Sequence, residues 1–130
     1  NQNLIALDQN TKIEVVDLNA SAPILKFTKG RIYIEANNDT PLIINTNYTE
    51  NLIHKSKATI INYDFLEKIH LIPLSGAIQT TIKESNEYLL IPVPLEIKET
   101  LPAEYKSITF NRNVAKEFYD WVDNLLDSNE

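Results

Sequence analysis

The chain has 130 residues, 43% hydrophobic and 23% charged, with 18 Asp/Glu against 12 Lys/Arg and a net charge of −6. That length suits one domain with its own core, and the composition is that of a globular chain rather than a disordered one. With no cysteine, disulfides, thiolate metal sites and a cysteine nucleophile are excluded.

The acidity is uneven: residues 1–80 carry seven Lys/Arg and eight Asp/Glu, residues 81–130 five and ten. An acidic second half without a basic, aromatic-interleaved stripe argues against nucleic acid and against an anionic membrane surface. No apolar run approaches the roughly 18 residues that span a bilayer. A chain that opens at Asn1 and contains no Met reads as a processed or excised domain.

Taken in chain order, alternating apolar and polar residues predict strands at Leu4–Leu7, Lys12–Asp17, Ile24–Phe27, Arg31–Ala36 and Leu42–Thr46. Further strands are predicted at Asn51–His54, Ala58–Tyr63, Lys68–Pro73, Ala77–Ile82, Tyr88–Ile91 and Leu95–Lys98. Turns are expected at Asp8-Gln9-Asn10, Asn19-Ala20-Ser21, Lys29-Gly30, Asn37-Asn38-Asp39 and Ser75-Gly76. The two glycines, Gly30 and Gly76, both fall between strand-like runs, where a positive φ is needed. Pro92 and Pro94 lack ladder donors, so that segment should be an edge or an exit from the sheet.

The period then changes. After Asn113, an N-cap type, Val114, Phe118, Trp121, Val122, Leu125 and Leu126 mark one face of an α-helix. The expected organisation is a single domain: a β core over residues 1–98, a connector over 99–112 and a helix over 113–127. The fold class is all-β, a roll, solenoid-like stack or sandwich of about ten short strands with a C-terminal amphipathic helix. Strand content should exceed 40%, against the usual 20–25%.

Several segments combine into a recognisable pattern: Leu7-Asp8-Gln9-Asn10-Thr11-Lys12-Ile13, Leu25-Lys26-Phe27 and Gly30-Arg31-Ile32-Tyr33-Ile34-Glu35. Pro41-Leu42-Ile43-Ile44-Asn45-Thr46 and Leu74-Ser75-Gly76-Ala77-Ile78 continue it, and Phe118-Tyr119-Asp120-Trp121 closes the chain. From about Leu4 to Ile97 the chain resembles the FecR domain of bacterial envelope proteins. Lys57-Ala58-Thr59 stands where that family commonly has Gly-Thr, and no late glycine occurs near Val93-Pro94. The resemblance implies an extracytoplasmic β domain, periplasmic or associated with the cell envelope. It also implies a role in relaying signals from an outer-membrane receptor to a sigma-factor regulator, or as an envelope module.

Catalytic patterns are missing. His54 and His70 lie in separate strands; His70, between Ile69 and Leu71, should face solvent. There is no H-E-x-x-H, no Gly-x-Ser-x-Gly and no phosphate loop. The carboxylate pairs Glu84/Glu87 and Glu96/Glu99 sit beside lysines in segments expected to be wet.

The chain is therefore expected to be no enzyme, to hold no metal or cofactor, and to bind a protein partner of the cell envelope. Tyr33, Tyr63, Phe118 and Trp121 are the candidate partner-binding residues. The alternatives are a carbohydrate- or cell-wall-binding β domain, and an accessory domain of a larger enzyme.

Overall fold

A computed structural model describes residues 3–17, 22–100 and 102–128; the expected Asn19-Ala20-Ser21 turn lies outside them. Eleven strands occur among the described residues, and strand content is 55%. In order they are β1 (Leu4–Leu7), β2 (Lys12–Asp17), β3 (Ile24–Ala36), β4 (Leu42–Asn45), β5 (Thr49–Ile53) and β6 (Ser56–Tyr63). β7 (Lys68–Ser75), β8 (Ile78–Ile82), β9 (Glu87–Ile91), β10 (Leu95–Lys98) and β11 (Glu104–Ser107) follow. A 3₁₀ turn over Arg112–Ala115 leads into helix α1, Lys116–Ser128.

The strands form one curled sheet in the order β11-β10-β7-β6-β3-β4-β5-β8-β9, with β1 and β2 also on β3. The curl makes two layers. In the front layer the C-terminal part of β3 pairs with β1 and β6, followed by β7, β10 and β11. In the back layer its N-terminal part pairs with β2 and β4, followed by β5, β8 and β9. Every pairing is antiparallel except β3 with β4. The inner faces meet in one core: Leu25, Phe27, Ile44 and Ile78 from behind, Ile32, Ile34, Ile60, Ile69 and Leu71 from in front.

Lys29-Gly30 is not the expected turn. It is a crease inside a single 13-residue strand, at which β3 leaves the back layer for the front. Gly30 has φ +106° there, and a Cβ on it would lie 2.3 Å from Thr11 Oγ1. Gly76, with φ +73° and Ser56 Cβ 2.8 Å from its missing side chain, sits where the chain returns from front to back between β7 and β8. Both glycines therefore mark layer crossings, where a positive φ and a close neighbour, the Thr11 backbone at Gly30 and the Ser56 side chain at Gly76, leave no room for a Cβ. Pro92 and Pro94 lie on a further crossing, from β9 to β10, where missing donors cost the sheet no ladder bonds.

The connector over 99–112 is corrected by β11, which pairs with β10 from Leu95↔Ser107 to Lys98↔Glu104. All four of its residues are exposed, so no apolar alternation marked it. The cap is also corrected: Asn111, not Asn113, starts the helical segment, accepting from Asn113 N at 3.0 Å.

α1 covers the outer face of the front layer. Phe118, Tyr119 and Val122 are buried against Ala6 and Tyr33 in a second cluster. Burial of such side chains contributes about 1.5–3 kcal/mol each. The expected helix face is rotated, leaving Trp121 46% and Val114 68% exposed. Val114 belongs to the 3₁₀ turn, whose three-residue period puts it out of phase with the α-helix that follows.

Candidate functional site

The Asp8–Thr11 turn between β1 and β2 stands at the Gly30 crease. Thr11 Oγ1 accepts from Arg31 N and donates to Arg31 O, both at 3.1 Å, replacing the ladder bonds that the crease interrupts. This fixes Arg31, whose Nη1 donates to Asp8 Oδ2 at 3.1 Å. The pair is largely buried, with side-chain exposures of 16% for Arg31 and 25% for Asp8.

Two grooves flank the turn. One, of about 670 Å³, separates it from the start of α1 and is lined by Leu7, Arg31, Val114, Lys116, Phe118 and Trp121. The other, of about 350 Å³, lies toward the β6–β7 turn and is lined by Gly30, Ile61, Tyr63, Phe65 and Leu66. Asp8, Gln9 and Arg31 line both. Phe65 is 93% exposed and Leu66 60%, at a tip closed by Leu66 N to Tyr63 O at 3.1 Å. The surface thus has a mostly apolar groove and a mixed polar and apolar one on either side of a largely buried ion pair, and exposed aromatic residues beside an arginine are common at protein interfaces.

The four expected contact residues separate. Trp121 lines the larger groove and Tyr63 the smaller. Tyr33 and Phe118, 5% and 6% exposed, are instead packed between α1 and the front layer, and Phe118 reaches the larger groove only by the small part of it left uncovered. Tyr33 alternates with the inward Ile32 and Ile34, and the outer sheet face it occupies is the one the helix covers. Burial, with the Glu35 carboxylate accepting its hydroxyl proton at 3.0 Å, raises the Tyr33 pKa.

Phe65 and Leu66 were not singled out from sequence, although an apolar pair inside Asp64-Phe65-Leu66-Glu67, a turn between two strands, was a visible signal. Tyr119 was missed as well. Its hydroxyl meets Thr59 Oγ1 at 2.9 Å inside the helix–sheet layer.

Trp121→Ala is accordingly expected to cost about 1 kcal/mol, the scale of a partly exposed site. Phe118→Ala should cost about 3–5 kcal/mol, the loss for a buried aromatic. Urea denaturation of both variants checks the contrast.

His70 does not face solvent. It lies on the front layer's outer face, with Nε2 2.9 Å from Glu96 Oε1, while Lys68 Nζ approaches the same oxygen at 3.3 Å. Tyr63 stacks edge-on against the His70 ring at 4.9 Å. Glu96, expected to be wet, is only 8% exposed because β10 is an interior strand between β7 and β11. The His70 hydrogen bond, then the Lys68 contact, hold its carboxyl below the usual range against the opposing effect of burial. Glu99 is the reverse: burial and the neighbouring Glu67 carboxylate push it up to about 7.

The two carboxyls have opposite pH signatures. Glu96, depressed in the fold, contributes stability present above its unfolded value and lost as pH falls through its folded one. Glu99, raised in the fold, favours folding in acid and loses that contribution as pH climbs toward about 7. Glu96→Gln should therefore lower stability at neutral pH and flatten the acid limb. Glu99→Gln should raise stability above pH 7 and leave it unchanged near pH 4; thermal melts across pH test both.

Among the described residues no three His, Asp or Glu side chains are grouped so as to hold a metal ion. No helix there is long and apolar enough to cross a membrane.

No family model matches the sequence, and no curated protein matches it. Its fold is similar to two crystal structures described as "a putative anti-sigma factor from Parabacteroides distasonis ATCC 8503", at 1.65 and 2.50 Å resolution. Each superposes with a TM-score of 0.67 at 11% identity, covering 82% of this chain and 52% of the other. The chain spans about half the length of these relatives, and at that identity the likeness is one of fold.

Proposed function

We propose that this chain is a noncatalytic, FecR-like signalling or interaction module that acts outside the cytoplasm by docking another protein of the bacterial cell envelope. The carrying observation is the face described above: a mostly apolar groove and a larger mixed one meeting at the Asp8–Arg31 pair, with Trp121 and Phe65 exposed on either side. Clefts with exposed aromatic anchors and a partly desolvated arginine are suited to holding protein side chains. The fold shared with an anti-sigma factor, and the Gly30-Arg31 segment that carries the FecR resemblance, support a regulatory role. A carbohydrate platform is less well supported, since Tyr33, which would contribute to one, lies under α1.

The test is photocrosslinking in the native host. A benzophenone amino acid is placed at Trp121, at Phe65 and, as control, at the exposed Gln79 of β8. Adducts with one other envelope protein from the first two positions, and none from the third, are expected. Equal adducts from all three positions, or none from Trp121 and Phe65, would overturn the reading.

A further inference from the structure

A sheet that curls without closing leaves strands at its margins. Among the described residues four strands have a ladder partner on one side alone: β1, β2, β9 and β11. Such margins invite pairing with another chain, and folded proteins blunt them. β2 is broken by two register shifts and carries Lys12 and Glu14; β11 is four residues long and carries Glu104 and Lys106. β1, also four residues, packs Ala6 against α1. β9 has none of these devices. It pairs with β8 through five residues in unbroken register, and from Glu87 to Ile91 it contains no lysine, proline or bulge.

Its side chains alternate. Leu89 and Ile91 turn toward the core, whereas Tyr88 and Leu90, 59% and 60% exposed, stand on the outer face of the back layer. The one charge, Glu87, accepts a hydrogen bond from the Tyr105 hydroxyl of β11 and is drawn toward the front layer, away from Tyr88 and Leu90. Bare backbone donors and acceptors select an extended strand as occupant. β9 is itself such a strand, and it complements itself. Laid antiparallel about Leu89, all five residues pair, with Tyr88 opposite Leu90 of the second copy and Leu90 opposite its Tyr88. A slip of one residue would set outward side chains against inward ones. A parallel arrangement would bring the two Glu87 carboxylates side by side; the antiparallel one sends them to opposite ends.

We propose that two copies of this chain join their back layers edge to edge through β9, antiparallel about Leu89, into one continuous sheet. The contact is isologous, as a two-fold dimer requires. None of the residues lining the two grooves lies on β9, so the dimer does not depend on the docking face.

Sedimentation velocity of the full chain over the micromolar range tests this, and wild type should dimerise. Leu90→Lys, at an exposed position, should weaken the dimer roughly tenfold or more, since it replaces both Tyr88–Leu90 contacts. Its melting temperature should match that of wild type where both are monomeric. The register is read with single cysteines, which the chain lacks. Under mild oxidation Tyr88→Cys mixed with Leu90→Cys should cross-link faster than either variant alone, because only unlike positions stand directly opposite.

Wild type that stays monomeric, a dimer indifferent to Leu90→Lys, or cysteines that cross-link no faster in the mixture would overturn the proposal. So would a benzophenone at Tyr88 that captures a different envelope protein in the native host and never a second copy of this chain; the edge would then belong to that protein's strand.

Discussion

Gly30→Ala is expected to remove about 3–5 kcal/mol of stability, adding backbone strain of about 1–3 kcal/mol to two lost hydrogen bonds of about 1 kcal/mol each. Gly30 has φ +106°, a region that side chains resist. Its added Cβ would meet Thr11 Oγ1 at 2.3 Å, Thr11 Cα at 2.6 Å and Thr11 Cβ at 2.8 Å. Moving Thr11 away breaks both bonds that it makes to the Arg31 backbone. Trimming Thr11 to alanine should not rescue the variant, because the clash with backbone Cα persists. Chemical denaturation of Gly30→Ala, Thr11→Ala and the double variant decides this; full rescue in the double variant would refute the crease as its cause.

Asn51→Ala is expected to cost about 2–4 kcal/mol, since it strands several partners of a core amide, at about 1–3 kcal/mol for an unsatisfied buried group. Asn51 is fully buried on β5, facing the other layer. Its Nδ2 donates to Ile44 O at 3.2 Å and to Thr49 Oγ1 at 2.9 Å, and its Oδ1 accepts from Thr80 Oγ1 at 2.8 Å. Thr49 Oγ1 lies 2.7 Å from Thr46 Oγ1, so four buried polar side chains form one chain of bonds. Asn51→Leu should be nearly as damaging, although it restores apolar volume, because Ile44 O and the threonine hydroxyls remain unpaired. Equilibrium unfolding of both variants provides the check; a loss under about 1 kcal/mol would mean that the network is not holding the back layer.

Much of this architecture was legible in the sequence because the strands alternate. β1, β2 and β10 occupy the expected ranges, and the period change marked α1. What escaped was what alternation does not encode. β11 is exposed at every position and has no apolar face to display. Asn51 and Thr80 are polar residues at inward strand positions that no apolar alternation reveals, and they satisfy one another inside the core. Which sheet face the helix covers is a tertiary fact, so Tyr33 and Phe118 read as available surface while being packed between α1 and the front layer. Trp121 was visible by type and Arg31 through Gly30-Arg31. The groove joining them depends on the crease, which brings the Asp8 turn opposite the helix start.

Because β3 is hydrogen-bonded in both layers, neither layer can open without breaking the strand that anchors the other. The molecule has no seam along which one half could melt alone. Amides of Phe27 in the back and Ile34 in the front should therefore exchange with solvent through the same global event, with equal protection free energies, and calorimetric and van't Hoff enthalpies should agree. Such a body passes a load from one layer to the other as a rigid unit.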